Sequence, residues 1–288
     1  MKVKSVIGGI ALSILILSSI QVLFLVKSYR VKEPFQEVKE GEILRKFRLE
    51  GKDVKGIKYV NLNFMLRVGG VYFNVTEGAF IYEMAFKQAV DSPEPFISRV
   101  KEGDRLDVKV FAFSGNVKIL LSKKYVYNGS FEVEAGGMDF MIPDGANLDS
   151  LHLKVKFAGG VSIRILDNAS FRRLLVEVNT GGVALVTSAS SFKGLGEVVC
   201  ETKVGGISIY VGKPKFGVRI FGEVEVGETM VNPKGLSIVK RNLKGFTAVT
   251  ENYESEANKL DFVLKVGLGG ISVNEPLVPL PRGLSAFN

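Results

Sequence analysis

Residues 151–187 read LHLKVKFAGGVSIRILDNASFRRLLVEVNTGGVALVT, and this stretch decides the fold. Two runs of alternating apolar and polar residues are each broken by a Gly-Gly pair, with Asp167-Asn168 as a turn signal between them. After the first glycine of each pair, apolar side chains fall on every second position: Val161 and Ile163, then Val183 and Leu185. Such alternation buries one face of a strand and leaves the other in solvent.

The same unit recurs outward in both directions as LNFMLRVGGVYFNV, KVFAFSGNVKILL, SFEVEAGGMDFMI, CETKVGGISIYV and VLKVGLGGISV. The leading glycines are Gly69, Gly115, Gly136, Gly159, Gly181, Gly205 and Gly269, and all but Gly115 are followed by a second: Gly70, Gly137, Gly160, Gly182, Gly206 and Gly270. Successive spacings are 46, 21, 23, 22, 24 and 64, so the middle four cluster near 22 while the outer two suggest degenerate copies. Residues 218–231, VRIFGEVEVGETMV, have the texture of a copy without a clear register. Two and four residues past the glycine every copy is apolar, Ile207, Ile209, Ile271 and Val273 included. Ahead of it, Leu62, Phe64 and Leu66 typify apolar residues at odd offsets, the parity of a two-residue turn that keeps both strands on one core. The copy at Gly159 breaks parity, and a bulge at Ala158 restores it. A near-constant period predicts an all-β, right-handed solenoid-like repeat domain; the alternative is an antiparallel β-sandwich of hairpins. The one short helix expected is residues 79–90, AFIYEMAFKQAV, ended by Asp91-Ser92-Pro93.

Organisation follows from the flanks. Val6 to Val26 carries no charge, and 21 residues at about 1.5 Å each span a hydrocarbon core. No small-residue cleavage site follows, so residues 1–30 read as a transmembrane anchor contacting lipid through residues 6–26, not as a cleaved leader. The repeat domain covers 31–275, and a Pro-rich tail, 276–288, with Pro276, Pro279 and Pro281, reads as an extended strap. Residues 1–60 hold 12 Lys/Arg and 6 Asp/Glu, which is +6 of the net +8, so the basic excess sits by the membrane and argues against a nucleic-acid partner. Sequons at Asn74, Asn128 and Asn168 place the repeat domain on the outer face of a single-pass cell-membrane protein.

The strand–Gly-Gly–strand units, the Ile142-Pro143-Asp144-Gly145 stretch leading to Leu148-Asp149-Ser150-Leu151, and the closing LKVGLGGISV resemble the toastrack (putative-adhesin) domains of bacterial and archaeal membrane-associated proteins. The resemblance covers roughly residues 43–275. It implies a solenoid-like β domain with binding, scaffolding or sensing roles and without common catalytic residues. Residues 76–105 and 228–260, and the basic membrane-proximal stretch, depart from that pattern.

Catalytic chemistry finds little support. His152 alternates outward and has no nucleophile motif beside it, while Cys200 shares alternation with Val198 and reads as a small buried hydrophobe. One Cys and one His exclude a disulfide framework and a Cys/His zinc site. Gly206–Lys213 mimics a phosphate loop with the wrong glycine spacing, and Pro214 stands where its hydroxyl belongs. A strand, not a helix, follows Gly267-Leu268-Gly269-Gly270, so it is no dinucleotide fingerprint. Pairs such as Glu132/Glu134, Glu197/Glu201 and Glu223/Glu225 have the spacing of solvent-facing strand rows; read functionally, they would be the acids of a carbohydrate-active enzyme or calcium ligands. Tyr72 and Tyr210 alternate outward and could stack on sugar rings, although isolated exposed tyrosines are common. The reading is a non-catalytic, membrane-anchored scaffold, adhesin or sensor without cofactor or metal, meeting a protein or glycan and free to oligomerise; the alternative is a regulatory partner of another membrane protein.

Overall fold

In the computed structural model, which describes residues 38–187 and 189–274, the glycine pairs lie inside strands and not between them. The seven copies are β2 (Tyr59–Thr76), β5 (Arg105–Ser122), β6 (Val126–Ile142), β7 (Asn147–Ile165), β8 (Ser170–Thr187), β9 (Leu195–Val211) and β13 (Lys259–Val273). An eighth strand, β10 (Gly217–Val231), joins them, and the eight run parallel in the order β5, β2, β6, β7, β8, β9, β13, β10. None of these glycine pairs closes a hairpin, which corrects the two-residue-turn reading and the sandwich alternative.

What the glycine does instead is switch faces within one strand. Its φ lies between +122° and +153° in the seven copies, a region that residues with a Cβ rarely enter. Leu66 and Val71, five positions apart, would point to opposite faces of a regular pleat, yet both are buried in one core. Each strand is therefore two arms, before and after the glycine, and the inner sides of both arms meet. Val161, Ile163, Val183, Leu185, Ile207, Ile209, Ile271 and Val273 on the second arms are at most 2 % exposed.

Stacking adds a second demand for glycine. Pairing places Gly115, Gly69, Gly136, Gly159, Gly181, Gly205, Gly269 and Gly227 in a column across the sheet. A Cβ on Gly69, or on any later member, would overlap the carbonyl oxygen of the glycine before it in the column. Gly227, with φ +139°, is the copy without a visible register, and 227 − 205 = 22 is the ordinary spacing. The spacing of 64 thus holds a full strand plus β11 (Ser237–Arg241) and β12 (Gly245–Val249).

Antiparallel strands close both ends. At one end β3 (Phe80–Ala89) covers the second arm of β5, β1 (Glu42–Glu50) covers β3, and β4 (Phe96–Glu102) covers the first arm of β5. At the other, β12 and then β11 cover the first arm of β10. Residues 79–90 are therefore strand, not helix: strands flank both edges of β3, and Phe80, Ile81, Tyr82, Met84, Ala85 and Phe86 are buried, so tertiary pairing overrides helix propensity. In β7 the extra residue falls between Val155 and Ala158, one step earlier than placed from sequence, and leaves Phe157 63 % exposed.

One apolar cluster runs the length of the stack. Phe73 and Phe140 are stacked at 4.5 Å, with Phe131 edge-on to both, and Phe171, Phe192 and Phe216 continue the aromatic line beneath the return turns. Residues 6–26 and 276–288, assigned above to an anchor and a strap, lie outside the described residues. Among the described residues no helix is long and apolar enough to cross a membrane.

Candidate functional site

The outward side of the first arms carries rows of paired charges. Because the strands are parallel and in register, residues at one offset from the glycine form a row across the sheet. Four positions before it, with allowance for the bulge in β7, stand Glu132, Lys154, Glu177, Glu201, Lys265 and Glu223. Eight positions before it stand Arg173, Glu197, Asp261 and Arg219. Both rows are held by ion pairs: Lys154–Glu177 at 3.1 Å, Lys265–Glu201 at 3.2 Å, Arg173–Glu197 at 3.4 Å, and Arg219–Asp261.

Between these rails runs an apolar strip, Leu175, Val199, Val263 and Phe221, with His152 at its head. Val199 points outward but is only 8 % exposed, shielded by its neighbours. His152 Nε2 lies 3.1 Å from Glu177 Oε2, and Glu177 also receives Lys154. Burial pushes the Glu177 carboxyl up, but the hydrogen bonds from Lys154 and His152 together outweigh it and hold the group below the usual carboxylate value.

The strip borders a shallow groove of about 640 Å³ lined by Lys154, Glu177, Asn179, Glu201, Lys203, Glu223, Glu225 and Lys265. Gly267 opens it, because the row between Lys203 and Glu225 has no side chain at that position. Lys203, Glu223 and Glu225 are exposed and have no hydrogen-bond or ion-pair partner among the described residues. The groove thus presents one free cation and two free carboxylates amid paired charges.

The residues singled out from sequence are distributed unevenly over this face. Glu223/Glu225 and Glu201 reach the groove, while Glu197 stays on the far rail. Glu132 and Glu134 lie toward the other end, paired with Lys156 at 2.6 Å and Arg67 at 3.2 Å. Cys200 is fully buried in a first arm, and that burial pushes its thiol far up. Tyr72 and Tyr210 face outward from the second arms of β2 and β9, and three strands separate them, so they make no shared platform. Lys203, Lys154 and Glu177 escaped sequence reading, since only the register shows them to be neighbours of Glu223.

No family model matches the chain, and no curated protein matches it. Similar solved structures include the following. A putative cell adhesion protein from Clostridium sporogenes is 16 % identical with a TM-score of 0.53, covering 81 % of this chain and 98 % of its own. A putative adhesin from Bacteroides fragilis is 13 % identical with a TM-score of 0.27, over 82 % of this chain and 98 % of that one. A putative lipid binding protein from Parabacteroides distasonis is 10 % identical with a TM-score of 0.20, at the same coverages of 82 % and 98 %. The first likeness shows a shared fold; the TM-scores of the other two are too low to bear on it.

Proposed function

We propose that this chain is a non-catalytic, adhesin-like binding protein of the cell envelope. On this reading residues 6–26 tether it to the membrane, its repeat domain coils as a solenoid on the outer face, and it takes an extended polar partner, protein or glycan, along its first-arm face. The observation that carries the reading is the apolar strip between two ion-paired rails, bordered along its length by a groove with unpaired Lys203, Glu223 and Glu225. Long flat faces of this kind suit partners that contact several repeats at once. The name of the similar Clostridium sporogenes structure, a putative cell adhesion protein, points the same way.

The test is a screen of the full-length protein in nanodiscs against arrays of envelope polysaccharides and proteins. A ligand is expected whose binding weakens by about tenfold or more when the groove charges are reversed in Lys203→Glu/Glu225→Lys, a loss in the range of interface contacts. Unchanged binding in that variant would move the site off this face.

A second reading has one observation in its favour. Glu223 and Glu225 stand on one strand face at i, i+2, which is about 6.6–6.8 Å, a separation found between glycosidase carboxylates. Against it, both stand in open solvent, without the apolar enclosure that sets a glycosidase's acid apart from its partner. Glycan turnover by the protein that Glu223→Gln abolishes would establish this reading over the first.

A further inference from the structure

We infer that the β4–β5–β2 end of the sheet rests on the lipid bilayer, with Val68, Val90, Phe96 and Phe113 entering its interfacial layer. This rests on the membrane-tethered reading above.

These four side chains are 56 %, 59 %, 63 % and 41 % exposed, and they gather at one corner. Phe113 is edge-on to Phe111 at 4.9 Å, and Phe111 sits opposite Phe96 across the β4–β5 pair. Ser114, next to Phe113, pairs with Val68 in the neighbouring strand and lies 3.1 Å, Oγ to Oγ, from Ser92. Val90, two residues before Ser92, donates its N–H to the Gly41 carbonyl at 3.0 Å. The incoming chain, with Val38 47 % exposed, therefore joins the fold at this same corner.

Chain length makes the placement feasible. From Lys27, at the end of the apolar run, to Val38 is 12 residues, a reach of at most about 40 Å. Aromatic side chains favour the membrane–water interface, and Arg67, over the Phe113 ring at 5.7 Å, can keep its charge in the headgroups while its stem follows the apolar patch.

Charge does not lead the contact. Nearest the four side chains, exposed Lys39, Arg67 and Lys109 stand among exposed Glu40, Asp91 and Glu94, while exposed Arg99, Lys101 and Arg105 lie further along β4 and β5. Zwitterionic lipid is thus sufficient, and the contact should be insensitive to salt. The opposite end also exposes apolar residues, Leu243 at 98 % and Val239 at 63 %, but the described chain enters the fold at the other corner, from Val38, so this end serves as the internal reference.

The chain has no tryptophan, which allows a direct test. Full-length Phe96→Trp, Val68→Trp and Leu243→Trp variants are each reconstituted in phosphatidylcholine vesicles with bromine-labelled acyl chains. Emission from positions 68 and 96 is expected to fall by roughly half or more and to shift blue in low and high salt alike, with position 243 unchanged. Protein that floats with the vesicles while positions 68 and 96 stay unquenched, or are quenched no more than 243, overturns the inference and leaves the tether standing. Cross-linking between copies at position 96 under those conditions assigns the corner to a second copy and overturns it too. Protein that does not float with vesicles overturns the tether itself. Phe96→Trp keeps an aromatic at an exposed site, so the test does not hang on how Val68→Trp folds.

Discussion

The α-carbon of Gly136 faces the carbonyl oxygen of Gly69 so closely that no Cβ fits between them. Its neighbour Gly137 is different: a Cβ there would meet the Gly160 oxygen at 3.6 Å, an ordinary contact, and its φ is not positive. Gly136→Ala should therefore cost about 3 kcal/mol or more, from backbone strain plus steric displacement, whereas Gly137→Ala should stay within about 1 kcal/mol of the parent. Urea unfolding of both variants decides it, and equal losses would contradict the stacked column.

Thr202 occupies a first-arm core position between Val178 and Val266, is 2 % exposed, and its Oγ1 has no hydrogen-bond partner. Replacement by the isosteric valine removes a buried hydroxyl that forms no bond. Thr202→Val is expected to stabilise the fold by about 1 kcal/mol, read as a raised Tm. A lower Tm would mean that the hydroxyl is satisfied after all.

Asp167 ties two successive return turns together. Its Oδ1 accepts the Ser190 N–H at 2.5 Å, the Ser190 hydroxyl at 2.9 Å and the Ser191 N–H at 3.3 Å. The Ser190 N–H, above all, holds this carboxyl below its usual value, with the Ser190 hydroxyl second. A group with a lowered folded pKa stabilises fully above its unfolded pKa and loses that contribution as pH falls through the folded one. Asp167→Ala should thus cost about 1 kcal/mol near neutrality, a modest figure because the group is exposed, and the gap from the parent should close in acid. A pH-independent gap in thermal melts would rule out the carboxylate as its source.

Cys200 is expected to resist thiol reagents in the folded protein, since its buried thiol must be exposed before it can ionise and react. Labelling should run about 10³-fold or more slower than in denaturant, because it waits on core opening. Rapid stoichiometric labelling in buffer would show that the first-arm core is open.

The apolar alternation around each glycine was legible in the sequence; the direction of the chain was not. A two-residue reversal and a face-switching kink both place Leu66 and Val71 on one side, so parity alone cannot separate them. Gly227 was hidden because β10 loses its outer neighbour β12 beyond Glu223, and there Glu225, Val226, Glu228 and Met230 are exposed and the alternation fades. Residues 80–89 carry helix formers on a strand whose identity comes from its neighbours, β1 and β5. The groove was beyond reach for another reason: Glu201, Lys265 and Glu223 become neighbours only because β13 lies between β9 and β10, an arrangement that no local pattern encodes.

That interleaving has a consequence for biosynthesis. β9 and β10 are consecutive, and their glycines stand at the ordinary repeat distance, so the two would match in register if they met directly. The ribosome releases β10 before β13 exists. β13 must therefore find its slot held open or pry apart a ladder already zipped, and a product cut short before residue 259 has nothing to stop β10 from docking on β9. The order of translation and the order of the sheet are at odds here, and the contacts that close this seam span 64 residues of chain, the kind of non-local pairing that forms slowly.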